Sequence, residues 1–193
     1  EGGGSAGSPR SLGLSPTVLL TLLSLAGFGC CTAMAMPQVH LVSICGDRGY
    51  GVARGAEMLS LMLGCGIVSR LAFGWISDSL GGLRTILLGS TLQCVALAMF
   101  LPANSLGSLY IVSAVFGLFQ GGIVPCYALI IREYFPPVEA GSRLGVVILG
   151  SVLGMAFGGW VSGVIFDWTG SYGAAFLNGI GWNLANISIV VFL

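Results

Sequence analysis

Residues 143–166 read RLGVVILGSVLGMAFGGWVSGVIF, and Arg143 is the only charged residue among them. A run of about 20 apolar residues is long enough to cross the roughly 30 Å hydrocarbon core of a bilayer as an α-helix. The apolar residues follow one another without alternating with polar ones, which favours a helix over a strand of a membrane barrel. This stretch therefore predicts a transmembrane helix.

Five similar apolar stretches occupy most of the remaining chain, and the connections between them are short. Short connections make neighbouring helices antiparallel. We predict an all-α bundle of six transmembrane helices over residues 15–193, after a Gly/Ser-rich flexible linker at residues 1–14. The predicted spans are about 16–45, 54–77, 85–101, 109–134, 143–166 and 173–193.

The composition indicates that lipid, and not water, surrounds most of the chain. Charged residues make up 7% of the 193 residues, whereas soluble domains carry about 25%. All basic residues are arginines, and they form no basic patch of the kind that binds nucleic acid. Six cysteines occur without a CxxC pair, so we expect no metal site, no disulfide and no cofactor.

The arginines also predict an orientation, because cytoplasmic loops carry an excess of basic residues. One side of the predicted bundle collects four arginines and the other side collects two, which places the N-terminus in the cytoplasm if the protein lies in the plasma (inner) membrane. The two groups are Arg10, Arg84, Arg132 and Arg143 against Arg48 and Arg54.

Small residues at four-residue spacing predict where helices touch. Gly150, Gly154 and Gly158 form one continuous glycine face of the fifth span, and Gly163 extends a second ridge beside it. Such faces allow helices to approach closely in lipid, where no hydrophobic drive brings them together. We predict a packing role for these glycines.

The connection after the second span carries a recognisable motif. Residues 74–84 read GWISDSLGGLR, which resembles the signature loop of the major facilitator superfamily, G-x-x-x-D-(basic)-x-G-(basic)-(basic). Gly74, Asp78 and Gly81 match in register, and Arg84 supplies one displaced basic residue. The resemblance implies that this motif belongs to a gate. A carboxylate at such a membrane face can cap a helix or pair with arginine, although a solvated loop acid is the simpler alternative.

Two further segments extend the resemblance in family order. Residues 167–176, DWTGSYGAAF, are similar to the join between the last two helices in bacterial and monocarboxylate-transporter-like members. Residues 132–135, followed by Gly141 and Gly145, resemble the preceding loop. The resemblance implies spans seven to twelve of a twelve-helix protein. We therefore expect a missing N-terminal six-helix half, in the same chain if this sequence, which begins at Glu1, is a fragment.

Arg70 lies eight residues before Asp78, which places it about 12 Å deeper along a helix. An arginine that faces lipid near the bilayer centre costs at least ~2.5 kcal/mol, so Arg70 should face a helix or a watery cavity. Gly66 and Gly74 share its helix face and should leave open space around the guanidinium, whose fork matches a carboxylate.

The resemblance adds a role for this arginine. Monocarboxylate-transporter-like proteins carry an arginine at the position of Arg70, where it contacts substrate, and often an acid one turn earlier, where this chain has Gly66. Two readings stay open: a substrate-carboxylate site, or a structural or gating arginine. His40, Gln120 and Tyr127 are further candidate substrate-site residues. Gln120 and Tyr127 could line a cavity or serve in packing, and His40 could be a titratable coupling group or a buried or interfacial histidine without that role.

The resemblance implies a secondary transporter of a small organic anion such as a monocarboxylate, by alternating access, with or without a co-transported proton or other ion. No enzyme is expected. A rhomboid-type protease would need a glycine where Trp160 precedes Ser162, and the only histidine, His40, lies four spans earlier. A non-transporting membrane scaffold or assembly subunit remains an alternative.

Overall fold

The computed structural model describes residues 12–193, and this part of the chain is helical with short turns and no strand. Residues 1–11, which hold most of the predicted linker, lie outside the described residues. Six helical segments are long and apolar enough to cross a membrane, and the fourth of them is divided into two helices. The helices are α1 (Pro16–Asp47), α2 (Val52–Leu80), α3 (Gly82–Phe100), α4 (Leu106–Gln120), α5 (Ile123–Tyr134), α6 (Pro137–Thr169) and α7 (Tyr172–Phe192).

Local sequence signals begin and end several of these helices. The Ser15 hydroxyl accepts a hydrogen bond from the backbone N–H of Val18 at 3.3 Å and so caps the start of α1. Ser105 and Ser108 form a reciprocal capping box at the start of α4. Gly170, in the left-handed conformation at φ 64°, ends α6.

The connection between α2 and α3 is much shorter than the predicted loop SDSLGGLR. Its first four residues continue α2 to Leu80, and α3 begins at Gly82. Gly81 alone separates the helices, with φ 80° and ψ 164°, a conformation that is essentially restricted to glycine. The motif is therefore two helix ends that meet at one glycine.

The six spans alternate in direction, with α4 and α5 running the same way, so the span ends lie on two faces of the bundle. We call the face that holds Leu12, Gly81 and the α5–α6 connection the N-terminal face. On the opposite face, Arg48 donates to the carbonyl of Ala103 at 2.6 Å, and Tyr172 donates to the Asp47 carboxylate at 2.5 Å. These polar contacts join the ends of α1, α3 and α7.

Helix α1 lies at the centre of the bundle and is the most buried span. It packs closely on α6 because Gly150, Gly154 and Gly158 lie against its backbone. On another side, Phe28 contacts the Trp182 ring of α7 edge-on, with centroids 5.7 Å apart. Pro37 lies inside α1, and the helix continues through it.

Buried polar side chains join α3 to α7. Asn183 donates to the backbone carbonyl of Ser90 at 2.8 Å, and Asn186 donates to the Ser90 hydroxyl at 2.8 Å. All three residues are buried. Such hydrogen bonds hold helices together inside a membrane.

The outward faces of α2 and α6 remain largely uncovered by the described residues. Large apolar side chains on both helices are exposed, and Trp75 is 81% exposed. The others include Leu63, Ile67, Val68 and Leu71 on α2 and Leu149, Val152, Leu153 and Trp160 on α6. A lipid environment or further helices can cover an apolar surface of this kind.

Candidate functional site

A cavity of about 240 Å³, open at the side of the bundle, lies between α1, α2, α6 and the junction of α4 with α5. Its walls are mostly apolar, with a small number of polar groups, which is the usual chemistry of a small-molecule site. The lining residues with polar or thiol side chains are Cys31, Gln38, Arg70, Gln120 and Ser151.

The break between α4 and α5 leaves a backbone carbonyl, that of Gly121, free to accept a hydrogen bond from Arg70. In a continuous helix the N–H of residue 125 would donate to the carbonyl of Gly121, but Pro125 has no N–H. That carbonyl instead accepts a hydrogen bond from Nε of Arg70 at 3.4 Å. The proline in one helix therefore helps to position the arginine of another.

The α2–α4 contact brings the two helices close enough for this bond. Gly121 lies against the backbone of Gly66, and Gly117 lies against the backbone of Met62. Gly66 also lines the cavity, and a methyl group added to it would have no neighbour closer than 3.9 Å, as expected of open space beside Arg70. Gly74 likewise has no neighbouring atom within contact distance in the described chain.

The guanidinium of Arg70 keeps most of its hydrogen-bonding capacity. Guanidinium carries five N–H donors, and within residues 12–193 only Nε has an acceptor. No aspartate or glutamate lines the cavity among the described residues. The cavity therefore holds a positive charge whose terminal N–H groups are available to an anion.

Gln120 lies next to this charge. It is 5% exposed, it lines the cavity, and its amide has no hydrogen-bond partner in the described chain. Ser151 donates to the carbonyl of Val147 at 3.0 Å, which leaves its oxygen free to accept. Arg70 and Gln120, both predicted from the sequence, are thus brought to one cavity.

The structure adds Gln38, which the sequence analysis did not single out. Gln38 follows Cys31 and Met34 at helical spacing on α1, and all three line the cavity. A polar residue on the same helix face as other inward-facing residues was the signal that could have revealed it.

Tyr127 and His40, the other two predicted substrate residues, do not line this cavity. Tyr127 is fully buried beside Gly27 of α1, and its hydroxyl has no partner in the described region. His40 donates from Nε2 to the carbonyl of Gly159 at 3.0 Å and therefore joins α1 to α6.

Three of the four predicted gate residues, all except Gly74, border a separate cleft of about 900 Å³ at the N-terminal face. Asp78, Gly81 and Arg84 line it together with Glu133 of α5. Glu133, and not Asp78, accepts a hydrogen bond from the first N–H of α3, at 3.3 Å from Gly82. Asp78 is exposed and has no hydrogen-bond partner in the part of the chain that is described.

The four predicted packing glycines lie along the contact of α6 with α1. Gly150, Gly154 and Gly158 face the backbone of Ser24, Phe28 and Thr32, so both helices repeat the contact every four residues. Gly163 lies near the imidazole ring of His40. The single hydroxyl proton of Thr32 is shared between the carbonyl of Phe28 in its own helix, at 2.8 Å, and the carbonyl of Gly154 across this contact, at 3.1 Å.

Six apolar helical spans define an integral, multi-pass membrane protein. The sequence profile of the Major Facilitator Superfamily matches residues 17–193, and the chain belongs to this family. The family is one of transporters and not of enzymes.

Several relatives carry names of transport proteins. The chain is 30% identical over 179 residues to Monocarboxylate transporter 13 of Rattus norvegicus, which covers 92% of the chain and 40% of the relative. It is 27% identical to Multidrug export protein EmrB of Haemophilus influenzae, over 75% of the chain and 29% of the relative. It is 26% identical to Probable anion transporter 4, chloroplastic, of Arabidopsis thaliana, over 84% of the chain and 31% of the relative. The chain thus spans less than half the length of these relatives.

Proposed function

We propose that the intact protein is a secondary transporter that carries a small organic anion, such as a monocarboxylate, by alternating access. In this mechanism two helical bundles rock around a site near the middle of the membrane. The chain supplies one bundle and one wall of the site. Relatives named as monocarboxylate and anion transporters support an anionic substrate.

The single observation that carries the proposal is that Arg70 lines the cavity without a carboxylate partner. Its one protein contact is a 3.4 Å hydrogen bond to a carbonyl, with no carboxylate among the described lining residues. Arg70 is exposed at this open pocket in the described chain, so its terminal N–H groups are accessible to a carboxylate, which they can bind through two parallel N–H···O bonds.

Substitution of Arg70 tests this role. We expect Arg70→Ala to abolish uptake of radiolabelled carboxylate, and Arg70→Lys to restore little of it because an ammonium group cannot form the paired bonds. Arg54→Ala is the matched control, since Arg54 pairs with Glu57 outside the cavity, with both side chains about half exposed. Uptake by Arg70→Ala at the rate of the control would refute the proposal.

A second six-helix half is the proposed partner of the uncovered faces of α2 and α6. Those faces border the cavity, and the relatives extend well beyond the matched region. In the intact protein, a cysteine introduced at exposed Leu71 should cross-link to a cysteine in a preceding span. A cysteine at Leu184, on the outward face of α7, is the control that should not. Equal cross-linking from both positions would contradict the assignment.

Asp78 is the proposed gate residue of this half. Its exposed carboxylate can form and break a contact with the opposite half as the N-terminal face closes and opens, with Gly81 and Arg84 beside it. We expect Asp78→Asn to slow transport turnover while substrate KM changes little. Asp167→Asn, an exposed acid at the other face, serves as the control. Equal turnover in both variants would remove Asp78 from the gate.

The orientation proposal follows from the arginines. Arg84, Arg132 and Arg143 lie towards the N-terminal face, against Arg48 and Arg54 towards the other, which favours a cytoplasmic N-terminal face in the plasma membrane. An impermeant thiol reagent added outside cells should label a cysteine placed at Asn104 and spare one at Ser79. The reverse pattern would invert the orientation.

A further inference from the structure

The cavity has two polar ends, and only one of them holds the charge. Arg70 and Gln120 form the first end. Gln38 lines the cavity from α1, and no described residue contacts its amide by a hydrogen bond. A carboxylate bound at Arg70 does not by itself give the Gln38 amide a hydrogen-bond partner. The distance between the two ends therefore decides where on a substrate a second polar group would have to lie.

Helix packing gives that distance. Helix α2 lies against α1 where Gly55 meets the backbone of Val42, and the two helices run antiparallel from that contact. Gln38 lies four residues from Val42, or about 6 Å along the axis at 1.5 Å per residue. Gly66 lies eleven residues from Gly55, or about 16 Å along the same axis.

The charge of Arg70 lies near the level of Gly66. Its Nε donates to the carbonyl of Gly121, and Gly121 lies directly against Gly66. The guanidinium and the backbone of Gln38 are therefore separated by about 10 Å along the bundle axis. Side chains on a helix lean toward its N-terminus, so the amide of Gln38 leans toward the charged end and shortens the gap.

The wall between the two ends is apolar. Met34 lies eight residues from Val42 on α1, and Leu63 lies eight residues from Gly55 on α2, so both side chains stand at about the 12 Å level. A molecule that spans the ends must therefore place carbon, and not polar atoms, beside them.

We infer that the substrate is an elongated carboxylate with a short apolar chain and a second hydrogen-bonding group at its far end, and that Gln38 binds that group. This inference rests on the proposed role of Arg70, since Arg70 and Gln120 hold the carboxylate while Met34 and Leu63 face the chain. The amide of Gln38 offers both donors and an acceptor, so a hydroxyl, amide or carbonyl group fits it. Gln38 is thus a specificity-determining residue.

The test compares 4-hydroxybutanoate with butanoate as competitors of uptake by the intact protein in proteoliposomes, because a four-carbon chain matches a gap of less than about 10 Å. If the hydroxyl group gains one net hydrogen bond, the hydroxylated anion should inhibit uptake at a concentration about three- to tenfold lower than the anion without the hydroxyl. Gln38→Met keeps the side-chain length, removes the amide, and should bring that ratio close to one. Gln38→Asn retracts the amide by one methylene and should give an intermediate ratio.

Gln120→Met is the matched control, because Gln120 lies at the carboxylate end. It should weaken both anions equally and leave their ratio unchanged. A ratio unaffected by Gln38→Met, or lost equally in Gln120→Met, overturns the inference about Gln38 even if Arg70→Ala abolishes uptake. Full uptake by Arg70→Ala overturns the proposed function itself, and competition by neither anion overturns both.

Discussion

The substitution Gly154→Ala probes the contact between α1 and α6 directly. A methyl group at Gly154 would stand 2.8 Å from the Cα atom of Phe28 and closer still to its carbonyl oxygen. Carbon atoms prefer about 3.5–4.0 Å, so the helices must separate by roughly 1 Å. Backbone atoms line the contact at this point, and they cannot move aside as a flexible side chain would.

The expected loss follows from three contributions. Overpacking of a close contact costs about 1–3 kcal/mol. Separation of the helices also lengthens the 3.1 Å hydrogen bond from Thr32 to the carbonyl of Gly154, which is worth about 0.6 kcal/mol between membrane helices. The higher helix propensity of alanine returns up to about 1 kcal/mol. We expect a net destabilisation of about 1–3 kcal/mol.

The assay is thermal unfolding of the intact, detergent-purified protein, followed by a dye that reacts with cysteines as the buried thiols become accessible. Gly154→Ala should lower the midpoint by several degrees. Gly181→Ala is the matched control, since Gly181 lies in α7 with no neighbour in contact distance among the described residues. If Gly154→Ala unfolds at the temperature of the control, the close α1–α6 contact is not what stabilises the bundle.

Three other substitutions test separate features of the fold, the first two by the same unfolding assay and the third by substrate affinity. Gly81→Ala forces a side chain into a conformation that is essentially restricted to glycine and should cost about 1–3 kcal/mol; no shift in the midpoint would exclude this backbone conformation. Asn186→Leu removes the bond to Ser90 between α3 and α7 and should cost about 0.6–1.7 kcal/mol, and a stabilised variant would argue against it. Pro125→Ala restores an N–H that competes with Arg70 for the Gly121 carbonyl, so substrate affinity should change while stability rises; unchanged affinity would show that this carbonyl does not position Arg70.

The membrane helices follow from the sequence because hydropathy and length act locally. An uncharged run of about 20 residues has to satisfy its backbone hydrogen bonds internally in lipid, and a helix does so without any tertiary partner. The glycine spacing also predicts close helix contacts, since a side chain at Gly154 or Gly158 would keep two helices apart whatever their arrangement.

Tertiary packing decides which of the polar residues line the same cavity. Gln120 and Tyr127 lie seven residues apart and would share one face of a continuous helix, yet only Gln120 lines the cavity, because the chain turns at residues 121–122. His40 likewise bonds to the carbonyl of Gly159 on α6 and not to a cavity group.

For Arg70 and Gln38 too, the sequence predicts the kind of environment, and only the structure shows which residues are neighbours. The sequence showed that an arginine at that depth needs a polar or watery environment, because lipid excludes an unpaired charge. It did not show that Pro125, fifty-five residues later, frees the carbonyl that holds Arg70, or that Gln38 faces it across the cavity. Lipid and protein interior are both apolar, so hydropathy predicts the helices but not which of their faces meet. The packing of α1, α2, α4 and α6 makes that choice.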